Sequence, residues 1–584
     1  MRDPSNLPSS SRSSSFSTLD RTAARVFEPQ INTRAPPSPK EPVRDRIKSV
    51  EEDVYEIDAF YKVEISAQRH SRLKQYYENE LNALEDYPFE MLPQEDKVDW
   101  LLLKNYLNLK LRELELDVKR NQNVTNLLGN FTIYIIDHIE SRQSVMPIDG
   151  RQAASNLTIA TQLIAGLRAQ ILDRRLYADP SVAVRAARTV TSLQSHLKEW
   201  YSFYKDYDPL FTWWLSDPYP KIDKALEDLA STINEVLVGI KPGDTDTIVG
   251  EPIGRDGLLH ALESEMIPYT PEELIEIGNK EYAWCETEMM KATIELGYED
   301  WHDALEHVKR EYVEPGKQPE LVRKLIDEAT GFVKRHDLVT VPQICEEAMQ
   351  MFMMSPERQK MNPFFLGGDS IIVSYPTSGM SHEDKLMSMR GNNIHFARAT
   401  AFHEMIPGHR LQFHYMKRVR PYRQLFFTPF CTEGWAFYWE MLLWDNEEWK
   451  KTPENRIGML FWRMHRCARI IFSLKFHLGE MTPQECVDFL VQKVGHERAT
   501  AEGEVRRSVM GDYGPLYQAG YMLGGLQIYA LRKELLGLGY MKEKQFHDAF
   551  LESNQMPVEL FKALITSQYL QRDFKSQWRF YEGL

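Results

Sequence analysis

Apolar residues recur every three or four positions through the first half of the chain, the spacing that lines them up on one face of an α-helix. The clearest run is Trp100, Leu103, Leu107, Leu111 and Leu114, a stripe suited to burial against neighbouring helices. The pattern predicts helices over residues 46–240 and assigns the stripe to core. Ahead of them, residues 9–17 are nearly all serine and residues 34–42 carry four prolines, so 1–45 reads as a disordered Ser/Pro-rich tail. Residues 241–257, rich in Gly, Pro, Asp and Thr, read as a loop. A second helical region follows over 258–584, and the two are expected to form one continuous body. Thr270-Pro271 looks like a helix cap and first residue, and Thr482 with Glu485 has capping-box spacing. The chain shows no obvious internal repeat.

One stretch breaks the helical pattern. Residues 369–376, β-branched and bounded by Gly367-Gly368 and Pro376, predict a short strand ending near Tyr375. It is either an edge strand that pairs with an extended substrate, Tyr375 included, or a plain hairpin. The fold class is therefore mainly α, a large helical body with a small β-sheet.

Composition narrows the functional classes. Hydrophobic residues make up 43%, ample for a large core. The net charge of −15 argues against nucleic acid or an anionic membrane as the main partner. Cys285, Cys345, Cys431, Cys467 and Cys486 are odd in number and scattered, as expected of reduced thiols in a cytoplasmic protein. No run of 18 apolar residues and no apolar segment after Met1 is present, so a soluble protein is expected.

Chemistry concentrates in residues 401–409, Ala-Phe-His-Glu-Met-Ile-Pro-Gly-His, and in Glu433 downstream. Two histidines and a glutamate can hold one zinc ion, and Glu404 beside the first histidine can act as a base, the roles found in thermolysin-like metallohydrolases. The spacing is unusual. In His-Glu-x-x-His the histidines share a helix face, whereas His403 and His409 are six apart, nearly opposite on a straight helix. Pro407 also opposes a straight helix, so the chain must bulge or break at Pro407-Gly408 for His409 to return toward His403. Otherwise one helix simply ends at Ile406 and His409 begins another element. Glu440 lies seven residues after Glu433, nearly two turns along the same face, and either hydrogen-bonds a ligand histidine or faces solvent. Cys431 is a less suitable ligand than Glu433.

The stretch from His403 to Gln412 (HEMIPGHRLQ), with Glu433-Gly434-Trp435-Ala436-Phe437-Tyr438-x-Glu440, resembles the domain-of-unknown-function family 885, a group of predicted zinc peptidases. Further segments agree in order: Ile253-Gly254-Arg255-Asp256-Gly257, Tyr269 to Leu274 with Gly278, Arg466-x-x-Arg469 with His477, Glu504-Val505-x-Arg507, and Tyr521-x-x-Gly524 with Arg532. The similarity spans roughly residues 45–575. It implies a helical metallopeptidase body with a thermolysin-like (gluzincin-like) zinc helix. His403, His409 and Glu433 are its expected ligands and Glu404 its base, with one zinc per chain. Tyr521 and His477 occupy family positions suited to donating a hydrogen bond to an oxyanion. Arg507 and Arg532 could bind a substrate carboxylate, or could form structural ion pairs. The chain departs from the family pattern at Arg410, Ser473 and Ser508, where a histidine, an aspartate and a tyrosine are usual.

The resulting expectation is a zinc hydrolase cleaving amide bonds, acting on a short peptide or small amide. The alternatives are an amidase or C–N lyase acting on a small metabolite, and a non-catalytic binding protein with a degenerate site.

Overall fold

The computed structural model describes residues 41–244, 247–359, 364–449, 452–510 and 513–582. Most of the expected tail, residues 1–40, lies outside them, and a helix over Val43–Phe60 takes up its end. The described chain is mainly helical.

The predicted stripe lies on α1 (Gln94–Leu128), where Trp100, Leu103 and Leu107 are fully buried and Leu111 and Leu114 partly so. At ~1.5 Å per residue this helix is roughly 50 Å long, and it joins two hydrophobic cores. Its first half packs with residues 43–89 into a large core built mainly from residues 258–580. Its far end, Val124, Leu127 and Leu128, enters a second core that runs to Ile233. The predicted 46–240 region is thus shared between the two cores. Residues 247–253 have no regular structure, and a helix, Gly254–Ser264, starts inside the predicted loop.

The large core is organised around α2 (Pro271–Glu295), α3 (Gln318–Arg335), α4 (Ile394–Glu404), α5 (His409–Met416), α6 (Pro429–Asp445), α7 (Pro453–Leu478), α8 (Arg498–Val509) and α9 (Tyr517–Gly537). The predicted cap at Thr270 and the predicted capping box of Thr482 with Glu485 on the helix Pro483–Val494 are both present, and Thr270 also forms a capping box with Glu273 at α2. In each, two otherwise unpaired N–H groups are satisfied reciprocally. Helices α6 and α9 cross where glycine meets glycine: a Cβ on Gly434 would come within 2.7 Å of the Gly524 backbone. That close approach brings the face of α9 carrying Tyr517 and Tyr521 up to Glu433.

The strand forms over Ser370–Val373 (β2) and pairs in parallel with Gln350–Met353 (β1), while an antiparallel bridge from Ile372 back to Leu366 closes a short hairpin-like loop on its other side. Ile371 packs with Phe365, Ala397, Ala401 and Met405, which sets the sheet against α4. The other side of β2 is not free at Ile372, whose N–H and carbonyl both pair with Leu366. The segment 365–368 therefore covers the edge of the strand expected to hold substrate, and its Gly367 and Gly368 N–H groups bond Glu404 at the end of α4.

Candidate metal centre

Helix α4 starts at Asn393, whose side chain accepts the N–H groups of His395 and Phe396, and ends at Glu404. Met405 leaves the helical region (φ −116°, ψ −114°), the Ile406–Pro407 peptide is cis, and α5 restarts at His409. Gly408 sits where a Cβ would lie 1.8 Å from the His403 carbonyl oxygen. Only glycine lets the chain fold back this tightly. The Trp435 indole N–H donates to the Pro407 carbonyl (2.9 Å) and holds the turn from α6. The break brings the His403 and His409 rings to 4.9 Å between centroids, nearly perpendicular.

Glu433 completes the group. Its Oε2 lies 3.2 Å from His409 Nε2 and 3.6 Å from His403 Nε2, and all three residues are buried. The donor atoms suit a zinc-type ion. With bonds of ~2.0–2.1 Å at tetrahedral angles, ligand atoms sit roughly 3.3–3.4 Å apart. The surroundings agree. Glu440 Oε1 lies 2.7 Å from His403 Nδ1, an arrangement that keeps the proton on Nδ1 and turns the Nε2 lone pair toward Glu433. A lone pair and a carboxylate face each other favourably only across a cation, either a proton or a metal. The second Glu433 oxygen accepts the Tyr517 hydroxyl at 2.5 Å.

Protonation follows from this geometry. Burial alone would lower the His403 pKa, but Glu433 and Glu440 outweigh it and push it up to about 9. Burial would raise Glu433, yet His409 and His403 hold it well below the usual carboxylate range. The raised pKa of His403 favours its protonated form in the metal-free protein, a proton that a metal would have to displace. A metal entering the group would release that proton, so zinc affinity is expected to rise with pH between pH 6 and 8. Calorimetric titration across that range checks this; a dissociation constant independent of pH would refute the displaced proton.

Glu404 stays outside the ligand group. Its carboxylate accepts the Gly367 N–H (2.7 Å), and with His403 it lines a cavity of roughly 70 Å³ shared with Arg466, Arg469, Arg507 and Tyr521. The Tyr521 ring lies parallel to that of His403, 6.0 Å away. Burial, then the nearby Glu433, drives its phenol far above the ordinary value, so it remains a neutral donor.

Three expected residues are not brought here. His477 lies near the end of α7, about 16 Å along the axis from Arg466. There its Nδ1 accepts the Ile253 N–H (3.4 Å), and burial with nearby Arg120 lowers its pKa to about 4. Arg532 pairs with Glu543 (2.9 Å). Tyr375, beyond β2, donates its backbone N–H to Gln359 (3.1 Å) and does not line the cavity. Cys431 points to the Asn554 carbonyl (3.7 Å), away from the metal-type group, and burial pushes its thiol up to about 12. All five cysteines are free and buried.

Two of the three departures from the family pattern make structural hydrogen bonds. Arg410 donates to the carbonyls of Cys345 (3.1 Å) and Asp369 (2.7 Å), tying the sheet to α5. The Ser508 hydroxyl donates to the Glu504 carbonyl (2.6 Å). Nothing in the structure explains Ser473. Tyr517 was not singled out by the sequence reading; its spacing of four from Tyr521, which places both on one helix face, was the available signal.

Two other places compete less well. A larger open cavity, about 860 Å³, is lined by residues such as Asn105, His260, Tyr269 and Arg579. It holds no metal-type group, and convergent chemistry outweighs volume in locating a site. His307, Glu311 and Glu454 also converge, but they are only partly buried.

A sequence model of the family described as "Bacterial protein of unknown function (DUF885)" matches residues 61–565. No curated protein matches the chain. Among solved structures, a "putative lipoprotein of unknown function" from Shewanella oneidensis superposes with a TM-score of 0.64 at 17% identity, covering 90% of this chain and 99% of that one. A second structure, described as a "putative lipoprotein" from Colwellia psychrerythraea, gives 0.57 at 14%, covering 91% of this chain and 99% of that one. These likenesses show a shared fold.

Proposed function

The chain belongs to the DUF885 family, and from its buried metal-type group we propose that it is a zinc-dependent hydrolase that cleaves amide bonds in short peptides. The observation that carries this reading is the convergence of His403, His409 and Glu433 beside a carboxylate, Glu404, that is not one of the ligands. Two histidines and a glutamate are the donor set of thermolysin-type enzymes. An ion held there supplies Lewis acidity, polarising a carbonyl and making water acidic near neutral pH.

The protein's own groups do the rest. Glu440 orients His403 through Nδ1, and Tyr517 orients Glu433. Glu404, placed by the Gly367 N–H, takes the proton of the attacking water and hands it to the leaving nitrogen. The neutral Tyr521 phenol, lining the cavity beside His403, is the donor assigned to the negative charge developing on the carbonyl oxygen. The small, buried cavity favours short substrates over folded proteins.

The test is hydrolysis of short peptides by the zinc-loaded protein in ¹⁸O-labelled water. One labelled oxygen in each new carboxylate is expected, with activity lost on chelation and restored by zinc. Release of an alkene without label would replace this reading with a C–N lyase. A zinc-replete protein that leaves peptides intact would remove it.

A further inference from the structure

Behind Tyr521 the cavity wall carries more buried hydrogen-bond donors than acceptors. Arg466 and Arg469 come from successive turns of α7 and Arg507 from α8, and all three line the cavity that holds His403 and Glu404. Glu504 accepts from Arg469 Nε (2.7 Å), from Arg507, and from the Gln518 amide (3.1 Å). Glu440, already engaged with His403, accepts from Arg466 at 3.4 Å. With these bonds made, Arg466 Nε, Arg469 Nη1 and Arg507 Nε remain buried without an acceptor. Arg466 and Arg469 are 4% and 3% exposed, so solvent does not satisfy them. The neighbouring His465 and His496 bond to each other (2.8 Å). Buried donors left unpaired are costly, and three around one cavity ask for an anion.

Charge leads to the same place. With a divalent ion on His403, His409 and Glu433, the carboxylates of Glu404, Glu433, Glu440 and Glu504 face that ion and three guanidinium groups. The set is then one negative charge short of neutrality, which a single carboxylate supplies.

Distance says where that carboxylate belongs on a substrate. The guanidinium carbons of Arg469 and Arg466 lie 4.4 and 4.8 Å from the Tyr521 ring, itself 6.0 Å from the His403 ring. They are therefore within about 11 Å of the His403 ring at most, and each residue of an extended chain spans ~3.3–3.6 Å. One or two residues bridge the gap from a scissile carbonyl.

We propose that Arg466, Arg469 and Arg507 form a carboxylate subsite, so that the substrate is a short peptide held by its free C-terminal carboxylate and cleaved one or two residues from that end. Arginine suits the task because its planar fork meets a carboxylate with two parallel bonds. The cleavage position rests on the hydrolase reading above; recognition of the carboxylate rests only on the arginines and the bound ion, not on turnover.

The experiment compares trialanine with its C-terminal amide, which differ only in the group the arginines would hold. Binding to the zinc-loaded full chain is measured by calorimetry, apart from any turnover. The acid should bind at least ~30-fold more tightly, since a buried charged donor left unpaired penalises the amide. An Arg507→Gln variant with parental zinc content should shrink that ratio to a few-fold. Equal binding of acid and amide, or no measurable binding of the acid, overturns the subsite. Selective binding of the acid without cleavage would uphold the subsite and count against the hydrolase reading alone.

Discussion

Glu404→Gln is expected to leave zinc content near one per chain and to lower peptide turnover by ~10³-fold or more. The substitution is nearly isosteric. The amide oxygen can still accept the Gly367 N–H that now holds the carboxylate at 2.7 Å, so the segment 365–368 keeps its place against α4. Glu404 lies outside the group of three converging ligand atoms, so metal affinity has no reason to change. An amide cannot take a proton from water near neutral pH, and that loss alone should show in kcat. Metal analysis with steady-state kinetics on parent and variant separates the two effects. Turnover that survives the substitution would remove Glu404 as the base, and lost zinc would make it part of the binding group instead.

Gly408→Ala should weaken zinc binding by at least ~100-fold and destabilise the fold by about 3 kcal/mol or more. The added methyl would meet the His403 carbonyl oxygen at 1.8 Å and the Phe402 carbonyl oxygen at 2.5 Å. Both are backbone atoms in the last turn of α4, and neither can swing away as a side chain would. Relief requires α5 to separate from α4, which pulls the two histidines apart. Gly379→Ala is the control, because nothing lies within 4 Å of its added Cβ and little change is expected. Zinc titration and thermal unfolding of the three proteins decide the matter. Parent-like values for Gly408→Ala would mean that the turn has slack and that another feature pairs the histidines.

The helical character of the chain was legible because burial on one face leaves a 3.6-residue rhythm, and the stripe on α1 obeyed it as far as Leu107. The caps at Thr270 and Thr482 were legible because they depend on neighbours three residues away. The strand was placed within two residues, but its partner was not. Parallel pairing with residues 350–353 joins segments whose contact leaves no local signature. His477 was misplaced, and the choice between the two roles open to Arg532, settled by its ion pair with Glu543, was not legible, for the same reason: residue type and motif order do not say which way a helix face points.

Sequence alone determined the candidate chemistry. His403, Glu404, His409 and Glu433 were readable as a set, and Pro407-Gly408 required the helix to break, because backbone sterics act within a few residues. Only the tertiary structure decided that the break folds back rather than away, since that depends on Trp435 holding the Pro407 carbonyl and on space that exists only without a Cβ at Gly408. It alone decided that Glu440 meets His403, that Tyr517 meets Glu433, and that three arginines gather with spare donors behind Tyr521. Those relations run between helices. They are set by how closely α6 and α9 approach at Gly434 and Gly524, a distance that no local pattern of residues records.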